Sequence, residues 1–419
     1  MWDKKLNSKN LVSSEVKLLI NDTSNKITRM DALKLIFAVC ISKLAVILIK
    51  VFKLGSGYTW PGNLALKIYP TVLANNKLRF NRGLIVISGT NGKTTTAKLC
   101  EHILTGSGFS VVHNNTGGNI LNGIVSTYLS KVSLFGSFNY DFGVFEVDEF
   151  VLPEFLKFIT PDILVLLNLS RDQLDRYGEV DTIVDRWADV LKTSEIKNLI
   201  LHKNEKHFKP LIDSYNGNII YFDTASTYRM HTELLGDFNS KNVNAAVNTC
   251  LLFGLTEEAV VKALSKFSAA YGRGEIVEYY QKFYQVFLAK NPASFNNNLD
   301  TLVYSVDTEK TELRYDALLF ILNDEIRDGR DVSWIYDINP VKLLKACENK
   351  HVFVSGSRCY EMALRIQYAG ARVPIENVNP SLKRVIDTIY TTDAKELVVL
   401  PNYSGMLQFR KLTLGKEIL

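Results

Sequence analysis

Short apolar, β-branched runs alternate with amphipathic stretches along most of the chain. Residues 83–88 (GLIVIS) have the composition of a buried strand, and the segment after the glycine turn at 89–92, AKLCEHILTGSG, carries a helical pattern. Similar apolar runs at 141–149 (DFGVFEVDE), 161–170 (PDILVLLNLS), 318–323 and 351–356 predict further buried strands. Between them, NAAVNTCLLFGL, with Gly254 near its end, and EEAVVKALSKF read as successive helices. Strands and helices in alternation predict parallel α/β layers whose strand-end loops carry the chemistry.

One apolar stretch differs. Residues 33–52 (LKLIFAVCISKLAVILIKVF) are interrupted by Lys34, Lys43 and Lys50, and the longest uncharged run falls short of the roughly 18–20 residues a span requires. Lys43 and Lys50 share a helical face, so the pattern predicts a helix with a broad apolar surface, docked on the protein or on a membrane surface. Gly55 to Gly57 end it and Pro61 opens a new segment. The first residues lack the basic end, apolar run and small-residue cleavage site of a secretory signal.

At 419 residues the chain has room for two to four domains, and 47% hydrophobic with 22% charged residues is globular composition. A net charge of +5 is dilute over this length, and no basic block interleaved with aromatics points to nucleic acid. The five cysteines form no Cys-x-x-Cys pair, which implies reduced thiols in the cytoplasm and excludes a four-cysteine zinc ribbon.

The strongest chemical signal is Gly89-Thr90-Asn91-Gly92-Lys93-Thr94-Thr95-Thr96, set between the strand and the helix. That context aims backbone N–H groups and a helix N-terminus at one spot, where a polyphosphate can be held. Lys93 would reach the terminal phosphates and the Thr94 hydroxyl would serve Mg²⁺. The strict pattern has a further glycine at 87, where this chain has Ile87. In the 141–149 run, strand alternation puts Glu146 and Asp148 on one face, as two carboxylates for a divalent cation or as a solvated strand end.

GTNGKTTT resembles the loop of the Mur ligases and folylpolyglutamate synthetases, which use ATP to activate a carboxylate and join it to an amine. On that resemblance Glu146 matches the strand-end glutamate that binds the nucleotide's metal, within an EVDE variant, and Gly89 to Thr95 hold the nucleotide. Gly236 to Asn242 (GDFNSKN) resembles the segment whose asparagines meet the nucleotide, so Asn239 and Asn242 inherit that role, although by spacing they also suit helix caps. GRGE, with Arg273, resembles the turn between the central and C-terminal domains. Where these ligases have a DHLD-type sequence whose histidine helps bind a second metal, this chain has Gln173, and Lys192 is a poor counterpart of their carbamylated lysine.

DGRDVSWIYD at 328–337 and PNYSGMLQFR at 401–410, with PGNLALK at 61–67, resemble the MurT family, the synthetase subunits of lipid II isoglutaminyl synthase. By composition alone the 323–337 loop reads as solvated surface. The resemblance implies an α/β Mur ligase-like fold: a tail at 1–32, a central P-loop parallel-sheet domain at 33–270 behind a helical lead-in, and a smaller Rossmann-like C-terminal domain at 271–419. It implies amidation of the D-glutamate α-carboxylate of the lipid II stem peptide through an acyl phosphate, with ATP and Mg²⁺ and without zinc. Cys347 and Cys359 lack a nucleophile-elbow sequence, so ammonia would come from a GatD-like glutaminase in a heterodimer. An aspartate of this chain would complete that partner's triad, Asp331 first, then Asp337, with Asp328 also open. The implied location is cytoplasmic, at the inner face of the membrane. Two alternatives stand beside this one: another Mur-type amide ligase, or a non-catalytic nucleotide-binding scaffold.

Overall fold

The computed structural model describes residues 30–49, 51–52, 59–115, 118–170, 180–223, 228, 231–232, 234–268, 272–304, 314–326 and 328–415. The tail up to residue 29 and the 171–179 segment with Gln173 lie outside the described residues.

The first helix, α1, covers Met30–Ile49, three residues earlier than the sequence pattern placed it. It leads through α2 (Trp60–Ile68) into a sheet built from β1 (Gly83–Ser88), β2 (Val111–His113), β3 (Phe142–Glu146), β4 (Ile163–Leu166), β5 (Asn198–His202) and β6 (Asn218–Phe222). The order is β2-β3-β1-β4-β5-β6, and all pairs are parallel. Connecting helices are α3 (Lys93–Gly106), α4 (Leu121–Lys131), α5 (Leu152–Leu156), α6 (Val180–Thr193) and α7 (Lys209–Ser214), with α8 (Asp237–Leu251) and α9 (Glu257–Leu264) following.

β1 is buried at every position because helices cover both sheet faces, the usual state of an all-parallel sheet. Val86 faces a core shared with Phe145 and Trp187, whereas Ile85 and Ile87 face one shared with Leu99, Ile103 and Val247. Leu35, Ala38 and Val39 of α1 are fully buried in the first of these cores, beside Tyr128 and Leu129.

A second sheet has the order β11-β10-β9-β12-β8-β7. Its strands are β7 (Arg273–Tyr279), β8 (Lys282–Phe287), β9 (Ala317–Ile321), β10 (His351–Ser355), β11 (Val378–Asn379) and β12 (Glu396–Pro401). Every pair is parallel except the β7–β8 hairpin at one edge. Helices α10 (Pro292–Tyr304), α11 (Pro340–Cys347), α12 (Cys359–Tyr368), α13 (Leu382–Tyr390) and α14 (Tyr403–Leu414) cover it. β9 lies between β10 and β12, so the chain changes direction across the sheet there, and the loops after β9 and β12 flank the crevice that results.

Candidate nucleotide and carboxylate-activation site

The loop from Gly89 to Gly92 joins β1 to α3 at the carboxyl edge of the first sheet. Two left-handed glycines make the turn, Gly89 at φ 134° and Gly92 at φ 92°. A Cβ at Gly92 would lie 2.3 Å from Asn242 Oδ1, so the loop backbone is pressed against α8. Asn168, just past β4, clamps the loop: its Oδ1 accepts from Asn91 N at 3.0 Å and its Nδ2 donates to Asn91 O at 2.9 Å. Thr90 N donates to Asn168 O at 2.9 Å, and Ser170 N donates to Thr90 Oγ1 at 3.1 Å. This bonding sets the loop's shape before any ligand arrives.

Thr94 Oγ1 donates to Glu146 Oε2 at 2.8 Å, joining the first turn of α3 to the end of β3. Glu146 is itself held by Asn114 from the end of β2, which donates to Glu146 O at 2.8 Å and accepts from Glu146 N at 3.0 Å. Strand β3 stops at Glu146, which corrects the predicted shared face: Asp148 lies beyond the pleat and its Oδ1 accepts from Phe150 N at 3.1 Å. Glu149 is the second carboxylate to reach the loop. Its Oε2 accepts from Lys93 Nζ at 2.8 Å, and both residues are buried. The lysine amine also donates to Gly89 O and Thr90 O.

Thr95 is buried and its Oγ1 has no hydrogen-bond partner. A buried hydroxyl left over at a helix start, beside backbone N–H groups, suits a phosphate oxygen. The Thr94 hydroxyl beside the Glu146 carboxylate supplies two hard oxygen donors, a set that fits Mg²⁺ completed by phosphate oxygens. No cluster of three or more His, Cys, Asp or Glu suited to a metal occurs among the described residues.

Asn239 and Asn242 lie inside α8 and are buried, so neither caps it; Gly236 holds the cap position. Asn242 Nδ2 donates to Asn239 Oδ1 at 3.2 Å, and Asn239 Nδ2 donates to Leu235 O at 2.7 Å. Arg273 is the first residue of β7 rather than part of a turn. Burial draws its guanidinium below the ordinary arginine range, an effect that the nearby Glu146 charge opposes. The second sheet also reaches the loop through Asn291, whose Nδ2 donates to Asn91 Oδ1 at 3.3 Å. Lys192 is exposed on α6 and pairs with Asp189 at 3.3 Å.

The three aspartates of the 323–337 loop occupy different settings. Asp328 is buried against the start of α14, where its Oδ1 accepts from Ser404 N at 3.1 Å, and burial raises its carboxyl above the usual range. Asp331 is exposed and accepts from Ser333 N at 2.8 Å, a bond that lowers its carboxyl. Asp337 is exposed at the end of the Ser333–Asp337 turn. All three follow β9, an interior strand, at the carboxyl end of the second sheet.

Sequence reasoning gave no role to Asn114, Asn168 or Asn291 and named Glu149 only within the EVDE variant. Asn114 directly follows β2, Asn168 and Glu149 lie a few residues past β4 and β3, and Asn291 immediately precedes α10, so the signal available was an Asn or Glu just beyond a predicted strand or before a helix.

Two family models match the chain: the Mur ligase middle domain over residues 87–216 and the MurT ligase C-terminal domain over residues 288–406. Among solved structures, MurF from Acinetobacter baumannii superposes with a TM-score of 0.62 at 16% identity, covering 84% of this chain and 79% of that one. A Mycobacterium tuberculosis folylpolyglutamate synthase complexed with ADP and AMPPCP gives 0.57 at 15% identity, covering 83% and 93%. The fold is thus that of the Mur ligases.

The C-terminal domain narrows the class. The chain is 28% identical to the MurT subunit of lipid II isoglutaminyl synthase (glutamine-hydrolyzing) from Staphylococcus aureus strain N315, over 84% of this chain and 91% of that relative. Its similarity to MurT proteins thus extends over most of the chain.

Proposed function

We propose that this protein is the synthetase subunit of a glutamine-dependent amidotransferase that converts the D-glutamate α-carboxylate of the lipid II stem peptide to the amide, working on the cytoplasmic side of the membrane. The observation that carries the reading is the convergence of Lys93, Thr94 and Glu146 on one glycine loop against Asn242, inside a chain with a MurT-type C-terminal domain.

In this reading the substrate carboxylate oxygen attacks the γ-phosphorus of ATP, the bond to the β-phosphate oxygen breaks, and ADP leaves. Ammonia then adds to the acyl phosphate carbon, phosphate departs with the bonding pair, and the nitrogen loses a proton. Such chemistry asks for positioning and charge neutralisation more than for a protein nucleophile. The loop amides and Lys93 hold the phosphates, Asn168 fixes the loop, and Arg273 adds positive charge from the second domain. Thr94 and Glu146 would hold Mg²⁺, which when bound neutralises phosphate charge.

This reading takes its ammonia from a partner subunit. Cys347 and Cys359 are buried, and burial pushes the Cys347 thiol up to about 12 and raises that of Cys359, so neither is a thiolate nucleophile near neutral pH. A GatD-like glutaminase fills that gap, and exposed Asp331 is the residue through which this chain would orient the partner's histidine.

The test is reconstitution. The chain co-expressed with a GatD-like glutaminase is assayed for lipid II amidation with ATP and glutamine. Amide formation coupled to ADP release supports the proposal. Folded complex that binds Mg-ATP but transfers an amino acid instead of ammonia replaces it with another Mur-type ligation.

A further inference from the structure

We infer that α1, together with the loop between α4 and β3, forms a membrane-docking surface that seats the protein on an anionic bilayer without crossing it. The inference does not depend on the ligase reading.

Helix α1 is long and apolar enough to span a bilayer, but it has two dissimilar faces. Leu35, Ala38, Val39 and Ser42 are buried against the first domain. On the opposite side Leu33, Phe37, Leu44, Ile47 and Leu48 are all exposed, Phe37 by 57%, at the three-and-four spacing of a single stripe. To insert across a bilayer the helix would have to withdraw Leu35, Ala38 and Val39 from the core that holds Tyr128 and Leu129. Lying flat keeps that core and buries the stripe.

A second element extends the surface. The loop after α4 is a tight turn: Gly136 N donates to Ser133 O at 3.0 Å, and Ser137 N donates to Ser133 Oγ at 2.9 Å. At its tip Phe135 is 91% exposed and Leu134 54%. The loop lies beside α1, since a Cβ on Gly136 would sit 3.5 Å from Ile36 Cγ1. An exposed phenylalanine on a hydrogen-bonded turn costs solubility and contributes little to packing.

Charge selects the occupant. From position 30 to 82 the sequence carries eight lysines and arginines and a single acid, Asp31, which Lys34 approaches at 4.0 Å. An apolar ridge and a protruding apolar loop tip, in a segment of basic composition, complement a fluid anionic surface.

The test is sedimentation of the purified full chain with vesicles of phosphatidylcholine alone, or of phosphatidylcholine and phosphatidylglycerol in equal parts. We expect binding to the anionic vesicles, weakened by high salt and released by alkaline carbonate. The triple variant Phe37→Gln, Leu44→Gln, Phe135→Gln should bind at least about tenfold more weakly while retaining Mg-ATP binding and its melting temperature. Retention through carbonate would overturn the flat-lying geometry. Absence of wild-type sedimentation, undiminished binding by the folded triple variant, or a concentration-dependent dimer that the triple variant abolishes would overturn the proposal.

Discussion

Lys93 Nζ donates to Glu149 Oε2 at 2.8 Å, and both side chains are buried, so the lysine of the phosphate loop is also half of an interior ion pair. From sequence, a lysine in a glycine loop reads as solvent-reachable, so that its removal costs catalysis far more than folding. The structure corrects the first, since Lys93 is buried. Lys93→Ala leaves a buried carboxylate without its cation, which costs about 3–5 kcal/mol. Chemical denaturation should show that loss, and Lys93→Ala with Glu149→Gln should recover part of it. Neither variant should bind Mg-ATP by calorimetry.

Thr94→Val separates function from stability. The substitution is nearly isosteric and removes only the donor to Glu146 Oε2. Mg-ATP affinity should fall at least about tenfold, the equivalent of about 1.4 kcal/mol, with a smaller loss of folding stability. Equal affinity with and without the hydroxyl would remove Thr94 from the metal site.

Gly92→Ala tests the close approach of loop and helix. At φ 92° any side chain is strained, and the new Cβ would meet Asn242 Oδ1 at 2.3 Å. A loss of about 1–3 kcal/mol with abolished nucleotide binding is expected. Adding Asn242→Ala should relieve the clash but not the backbone strain, so stability returns only in part.

His202 makes folding stability depend on pH. Burial, aided by the Lys241 charge and opposed by Asp223, lowers its imidazole from 6.5 to about 4. Between those values the unfolded chain binds the extra proton, so this contribution is full above pH 6.5 and is lost as pH falls toward 4. His202→Phe should flatten the acid limb of a stability-versus-pH curve by up to about 3 kcal/mol. A parallel curve for the variant would show that some other group governs that limb.

Much of the architecture was readable before folding. The strands at 83–88 and 351–355 lie within a residue of the positions predicted from their apolar runs, because buried parallel strands need unbroken apolar sequence between breakers. The Mur ligase-like α/β fold and the MurT resemblance were legible for a related reason: GTNGKTTT and DGRDVSW are contiguous, so their meaning survives without three-dimensional context. Glu149 was not legible as the partner of Lys93. The two are far apart in sequence, and strand alternation pointed to Asp148, whereas the chain leaves the pleat at Glu146 and rotates the next carboxylates out of register.

Local order along the chain therefore determined the phosphate loop, the strands that flank it and the family resemblance. Which groups face one another was decided only by packing: Asn168 on Asn91, Asn242 on Gly92, Glu149 on Lys93, and one face of α1 against the core with the other left bare. The physical reason is that propensity and hydrophobic period act between neighbours in sequence. The contacts that desolvate a lysine or expose a phenylalanine join segments brought together by burial of the whole sheet.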